Sequence, residues 1–135
     1  MEENKELEEL KARKLREMLN QNKKDGAQEL EKVIAVNDTN FRDVINNASL
    51  AVIDCWASWC MPCRMLSPII DELANDYAGK VVFGKLNVEE NRQVPIEYQI
   101  MSIPTILVFK KGQLVDRIVG ALPKRILESK ITQHL

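Results

Sequence analysis

Two cysteines at the junction between a buried strand and a helix constrain this chain more than any other feature. The run Leu50–Trp56 is apolar except for Asp54, and a continuous apolar run indicates a strand in the buried middle of a parallel or mixed sheet. Cys60 and Cys63 follow where a helical pattern begins. Helix residues three apart lie on neighbouring faces of one turn. The spacing therefore suits a pair that forms and breaks a disulfide.

Composition and charge limit the function classes. The chain has 135 residues and a formal net charge of -1, so we expect one domain with a short appendage. A charge this small creates no field that attracts nucleic acid or anionic membranes, and we expect neither as a partner. No apolar run approaches the roughly 20 residues of a membrane-spanning helix.

Cysteine usage indicates the compartment. The chain contains three cysteines, an odd number that is too small for a secreted disulfide framework. The N-terminus shows no signal peptide or transit peptide. We therefore expect a cytoplasmic location, where a CxxC pair is more often catalytic or metal-binding than structural.

Residues 1–26 differ in composition from the rest of the chain. Glutamates come first and basic residues follow, the order that a helix macrodipole favours. A narrow apolar stripe falls on one side of the predicted helix: Leu7, Leu10, Leu15 and Met18. We predict a charged helical extension and linker over residues 1–26 and one domain over residues 27–135. The extension is interpreted as a solvated helix, with a docking or oligomerisation helix and disorder as alternatives.

The remaining chain reads as strands and helices in the order β-α-β-α-β-α-β-β-α. Strands are predicted at 33–36, 50–56, 81–86, 105–109 and 114–119, and the last two flank a short hairpin connection. Asp38 or Thr39 is a plausible N-cap of the first helix of this region. This order predicts an α/β fold with a mixed sheet and helices on both faces.

Several landmarks together resemble the thioredoxin family. They are Asp54-Cys55-Trp56-Ala57, Trp59-Cys60-Met61-Pro62-Cys63, Pro68, Lys85-Leu86-Asn87, Ile103-Pro104-Thr105 and Gly120. The resemblance covers the chain from about residue 33 onward and excludes residues 1–26. It implies a thioredoxin-like three-layer fold with a central five-stranded sheet, plus the extra N-terminal helix. It also implies a monomeric protein-disulfide reductase that binds no cofactor or metal and is re-reduced by thioredoxin reductase or an equivalent donor.

Chemistry assigns different roles to the two cysteines. Only a thiolate attacks a disulfide, and Cys60 stands at the helix start, where free N–H groups and the helix dipole stabilise an anion. Cys60 is therefore expected to be the exposed nucleophile, and Cys63 the less exposed resolving cysteine. Trp59 offers a flat apolar surface to a substrate chain. Met61 and Pro62, between the cysteines, are predicted to contact substrate as well.

Asp54 is the most informative residue outside the pair. Burial in an apolar strand should raise the pKa of its carboxyl group and make it a base that works near neutrality. The resemblance implies that Asp54 deprotonates Cys63 through a water molecule, with Lys85 as its charge partner. The alternative is an aspartate turned to solvent at a strand end.

The Ile103-Pro104 bond resembles the family's cis-proline, packed opposite the cysteines. A cis bond would leave the Ile103 backbone open to pair with an extended substrate, and Pro104 would keep metal-binding side chains away from the sulfurs. The alternative is a trans proline that opens a strand.

Three other interpretations of the cysteines remain open. One is an inert disulfide. Another is a zinc site shared across a dimer, since a structural zinc site needs four ligands and the chain offers only the CxxC pair, Cys55 and His134. The third is a disulfide oxidase or isomerase of the same fold, since Met61 occupies a position that tunes the reduction potential. A different class of function is a non-enzymatic binding module that acts through its N-terminal helix. Cys55 itself is expected to be a small buried hydrophobe.

Overall fold

A computed structural model of the protein describes residues 32–135, which form five strands and four helices. The strands are β1 (Val33–Val36), β2 (Leu50–Trp56), β3 (Val82–Asn87), β4 (Thr105–Lys110) and β5 (Gln113–Val119). The helices are α1 (Phe41–Asn46), α2 (Met61–Asp76), α3 (Gln93–Glu97) and α4 (Lys124–Thr132). The predicted N-terminal helix and linker, and the domain start at residue 27, lie outside the described residues.

The five strands form one mixed sheet in the order β1-β3-β2-β4-β5. β3 pairs in parallel with both β1 and β2, while β4 is antiparallel to β2 and β5 is antiparallel to β4. The turn between β4 and β5 consists of Lys111 and Gly112, whose φ angles are 51° and 81°. Two positive φ angles suit the tight turn of a two-residue hairpin. The predicted hairpin and the mixed sheet are therefore confirmed.

Helices cover both faces of the sheet, because successive strand residues point to opposite sides. Leu50 and Val52 of β2 pack in one core with apolar residues of α2 and α4. Ala51, Ile53 and Cys55 pack in a second core with apolar residues of α1 and α3. The predicted three-layer arrangement is therefore confirmed, and β2 is buried on both sides.

The prediction of the α1 cap was wrong. Asn40 occupies the N-cap position of α1 and makes no side-chain capping bond. Asp38 instead accepts hydrogen bonds from the backbone N–H groups of Gln93 and Val94, at 3.2 and 3.1 Å. Its carboxylate thus satisfies free N–H groups at the start of α3, a helix that is distant in sequence.

Candidate active site

The first turn of α2 carries the two cysteines. Cys60 is the N-cap residue, with an extended backbone conformation, and its Sγ accepts a hydrogen bond from the backbone N–H of Cys63 at 3.2 Å. The two cysteines form a disulfide, and their Cα atoms are 5.2 Å apart. Pro62 lies in the first turn of α2, where its missing N–H would have had no helical partner. The Cys60 sulfur thus occupies the position that a side-chain oxygen usually takes at a helix N-terminus.

The exposure of the two cysteines differs from the prediction. Cys60 and Cys63 are each only 3% exposed. They form a small apolar cluster with Ala57, against which Val88 and Ile103 pack. The predicted greater exposure of Cys60 is therefore wrong for the disulfide form, because neighbouring loops cover both sulfurs. Trp59, Met61 and Pro62 are exposed around the cluster.

Asp54 is buried, not turned to solvent. It is 1% exposed, and within residues 32–135 neither of its carboxylate oxygens has a hydrogen-bond partner. Burial raises the pKa of Asp54 to about 7, while the positive charge of Lys85 acts in the opposite direction and Asp71 adds to the increase. Asp54 therefore changes its protonation state near neutral pH, as the sequence predicted.

Asp54 and Lys85 both point toward the helix that carries the cysteines. They are register partners in β2 and β3, and the alternation along β2 puts Asp54 on the same face as Leu50 and Val52, which packs against α2. The Lys85 ammonium group hydrogen-bonds to Ser67 of α2 and lies 4.0 Å from an Asp71 oxygen. Lys85 thus influences Asp54 through its charge without a direct ion pair.

The Ile103-Pro104 peptide bond is cis. Pro104 is buried, and Ile103 packs against the cluster formed by Cys60, Cys63 and Ala57. The Pro104 carbonyl accepts a hydrogen bond from the Gly120 N–H at 2.8 Å. The structure therefore brings this segment against the disulfide, as the resemblance implied.

Sequence reasoning missed the residues that hold the loop before Cys60. A Glu89 carboxylate oxygen accepts hydrogen bonds from the Ser58 N–H at 3.2 Å and the Ser58 hydroxyl at 2.9 Å. The Arg64 guanidinium donates to the Ser58 carbonyl at 3.0 Å. Glu89 follows β3 and Ser58 follows β2, so the carboxyl ends of two adjacent parallel strands bring them together. The β-α-β order of these two strands indicates parallel pairing and could have shown that Glu89 and Ser58 lie close together.

A shallow groove beside the disulfide was also missed. It has a volume of about 420 Å³ and is lined by Trp59, Val88, Pro95 and the loop at 100–103. Every side chain that lines it is uncharged. The sequence feature that could have indicated this groove is the pair Ile100-Met101, two large apolar residues in the loop just before Ile103-Pro104.

The other residues named as possible metal ligands have different surroundings. Cys55 is fully buried in the core on the α1 and α3 side of the sheet, so its prediction as a buried hydrophobe is confirmed. His134 follows α4, and its Nε2 lies 3.0 Å from a carboxylate oxygen of Asp116 in β5. Within residues 32–135, no three His, Cys, Asp or Glu side chains are grouped as a metal site would require.

None of the helices in the described part of the chain is both long and apolar enough to span a membrane.

Comparison with known proteins agrees with this geometry. The family model described as Thioredoxin matches residues 32–133. Thioredoxin 2 of Chlorobaculum tepidum is 47% identical over 105 residues, covering 77% of this chain and 96% of that protein. Thioredoxin of Haemophilus influenzae is 44% identical over 107 residues, covering 78% of this chain and 100% of that protein.

Solved structures show the same likeness. The N21Q mutant thioredoxin from Halobacterium salinarum superposes with a TM-score of 0.70 at 27% identity, covering 76% of this chain and 88% of that one. Malassezia sympodialis thioredoxin (Mala s 13) gives a TM-score of 0.70 at 36% identity, covering 76% and 90%. The chain belongs to the thioredoxin family and is a thioredoxin-type protein-disulfide reductase, with Cys60–Cys63 as its redox-active disulfide.

Proposed function

We propose that Cys60 is the attacking and Cys63 the resolving cysteine of a two-electron cycle. The Cys60 thiolate attacks one sulfur of a substrate disulfide, forms a mixed disulfide and releases the other substrate sulfur as a thiolate. The Cys63 thiolate then attacks the Cys60 sulfur and releases the second substrate thiolate. The substrate gains two electrons, and the Cys60–Cys63 pair loses them as it becomes a disulfide.

The hydrogen bond between Cys63 N–H and Cys60 Sγ is the observation that carries this assignment. The N–H donor lies 3.2 Å from the sulfur at the N-terminus of α2. Free N–H groups and the helix dipole both favour negative charge at this position. Cys63 lies inside α2, and within residues 32–135 its own sulfur accepts no backbone hydrogen bond of this kind. Cys60 is therefore the sulfur that the fold stabilises as a thiolate.

Asp54 is proposed to accept the proton that Cys63 loses before it attacks. With a pKa of about 7, the Asp54 carboxylate is partly available as a base at neutral pH. Asp54 faces α2, in whose first turn Cys63 lies. Lys85 is proposed as the charge partner that keeps part of the Asp54 population ionised. A water molecule would carry the proton between the two groups.

The substrate chain is proposed to contact both sides of the disulfide. Trp59, Met61 and Pro62 present exposed surface on the helix side. Ile103 packs on the sulfurs from the other side, where its backbone would pair with an extended substrate segment. Pro104, whose peptide bond to Ile103 is cis, is proposed to contact the substrate segment as well.

The wider cycle is also a proposal. The substrates are disulfide-containing proteins, and thioredoxin reductase or an equivalent donor restores the dithiol. The dithiol itself carries the two electrons, so the cycle requires no bound cofactor or metal. We propose that the unit of residues 27–135 acts as a monomer in the cytoplasm, where a reducing environment keeps Cys60 and Cys63 available.

Variants of the cysteines test the proposed roles. Cys63→Ser should accumulate a mixed disulfide with insulin, or with a test protein that has been denatured, reduced and reoxidised, because the resolving thiol is missing. Cys60→Ser should form none and should reduce no insulin. Cys55→Ala is the matched control and should retain activity within about twofold, since its buried thiol takes no part. A Cys60→Ser protein that still forms mixed disulfides through Cys63 would reverse the assignment.

Equilibration with glutathione determines the direction of the reaction. A reductase should give a Cys60–Cys63 potential near about -270 mV, whereas an oxidase would lie near about -120 mV. A potential near about -120 mV would favour the oxidase or isomerase interpretation. Full biological function in a Cys60→Ser protein would instead favour the binding module.

A further inference from the structure

The ammonium group of Lys85 is held by α2 and not by its neighbour in the sheet. Asp54 and Lys85 are register partners on adjacent strands, and such strands lie only about 4.8 Å apart. The long lysine side chain could therefore reach the Asp54 carboxylate. Its ammonium group instead donates a hydrogen bond to the hydroxyl of Ser67 and lies 4.0 Å from a carboxylate oxygen of Asp71. The charge of Lys85 thus has two contacts on α2.

The two contacts on α2 offer Lys85 a partly hydrated position. Ser67 and Asp71 lie on one face of the helix, because helix residues four apart are neighbours on its surface. The side chain of Asp71 is 49% exposed and that of Lys85 is 23% exposed. An ammonium group placed here keeps part of its contact with water, whereas a direct pair with the buried Asp54 would require its desolvation. Ser67 and Asp71 therefore compete with Asp54 for the same cation.

The position of Lys85 leaves Asp54 without a hydrogen-bond partner. Neither of its carboxylate oxygens accepts a hydrogen bond from any group within residues 32–135. An opposite charge within about 4–6 Å lowers the pKa of a carboxyl group by about 1–3. A direct pair with Lys85 would therefore keep Asp54 ionised at neutral pH and remove its ability to take up a proton there.

Few charged or titratable groups face Asp54 from the elements packed against it. β3 contributes Lys85, and α2 contributes Asp71 together with Cys63 in its first turn. β4 places the apolar side chain of Ile106 beside Asp54 as its register partner. Among these groups Lys85 is the cation, so the place of its ammonium group decides how strongly the ionised form of Asp54 is stabilised.

We propose that Ser67 is a positioning residue whose hydroxyl, together with Asp71, holds the Lys85 ammonium group against α2 and away from the Asp54 carboxylate. Asp54 thereby remains able to accept a proton near neutral pH. The consequence for catalysis rests on the proposed function, in which Asp54 accepts the proton of Cys63. The placement of Lys85 does not depend on that role.

Carbon-13 NMR of the Asp54 carboxyl group tests the placement of Lys85. The titration uses the full-length oxidised protein, in which Cys60 and Cys63 do not titrate, and Asp54→Asn identifies the signal. Wild type should titrate with a midpoint of about 7. Ser67→Ala should lower the midpoint by at least about one pH unit, because Lys85 can then approach Asp54. Ser67→Thr keeps the hydroxyl and should titrate like wild type.

A double mutant separates positioning from a general effect on α2. Lys85→Gln removes the cation and should raise the Asp54 midpoint, since the charge of Lys85 favours the ionised carboxylate. Adding Ser67→Ala to Lys85→Gln should cause no further change, because the hydroxyl then has no ammonium group to hold. Ser129→Ala is the matched control: Ser129 is exposed on α4 and its replacement should leave the midpoint unchanged.

The rate at which the mixed disulfide between Cys60 and insulin is resolved reports the consequence for catalysis. In Ser67→Ala the acid limb of its pH profile should move to lower pH together with the Asp54 midpoint. A midpoint that Ser67→Ala leaves unchanged or raises, or lowers equally in the Lys85→Gln background, would overturn the inference and leave the reductase cycle intact. A midpoint that falls while the resolution rate keeps its wild-type profile would support the placement of Lys85 and contradict the role of Asp54 as the base.

Discussion

Replacing Asp54 by asparagine should change how the stability of the oxidised protein depends on pH. Asparagine has nearly the same shape as aspartate and stays neutral at every pH. The native pKa of Asp54, about 7, lies above the ordinary value of 3.8 that the carboxyl regains on unfolding. Between these two values the native state binds more protons than the unfolded state. Wild-type stability must therefore fall as the pH rises through this window, because the slope follows that proton difference.

The size of the effect follows from the shift. A shift of about three pKa units corresponds to about 4 kcal/mol, since each unit is worth about 1.4 kcal/mol. About 3 kcal/mol of this change falls between about pH 5 and about pH 8.5, because the remainder occurs below about pH 5, closer to the unfolded pKa of 3.8. Asp54 is 1% exposed, so solvent screens this effect little. The free energy of unfolding of Asp54→Asn, minus that of wild type, should rise by this amount.

Urea unfolding of the disulfide form at the two pH values measures the effect. The disulfide keeps Cys60 and Cys63 from titrating, and any constant cost of burying an amide cancels in the comparison. Asp43→Asn is a suitable control, because Asp43 is exposed on α1 and surface substitutions usually change stability by less than about 0.5 kcal/mol. If the free energies of unfolding of wild type and Asp54→Asn stay parallel across this pH range, the argument that burial raises the Asp54 pKa is refuted.

Three further predictions concern packing, capping and reactivity. Gly84→Ala should lower the free energy of unfolding by about 1–3 kcal/mol in urea titrations, because a Cβ there would lie 2.5 Å from Val36 Cγ2; an unchanged midpoint would contradict this. Asp38→Ala should lower the free energy of unfolding by about 1 kcal/mol and speed hydrogen exchange of the Gln93 and Val94 amides, which bond to different oxygens of the carboxylate. Asp38→Asn keeps one acceptor oxygen and should protect only one of these two amides. Cys55 should resist iodoacetamide in the native reduced protein while Cys60 reacts, because burial raises the pKa of its thiol; alkylation of Cys55 first would contradict its full burial.

Local patterns in the sequence were sufficient for the order of the elements. The apolar run Leu50–Trp56 marked β2 as a central strand, and the four-residue Lys110–Gln113 connection predicted the hairpin. The CxxC spacing just after β2 located the redox pair. These features depend on neighbouring residues along the chain, whose periodicity is set by strand and helix geometry. These features could therefore be predicted from the sequence alone.

Contacts between distant segments were decided only by the tertiary structure. Asp38 caps α3 although it stands beside α1, and Glu89 holds the loop of Ser58 from another strand end. The coverage of Cys60 and the groove at Met101 likewise depend on loops that meet at one edge of the sheet. A sequence pattern reports which face of an element is apolar, but the partner of a polar side chain and the exposure of a loop residue depend on where the other elements pack.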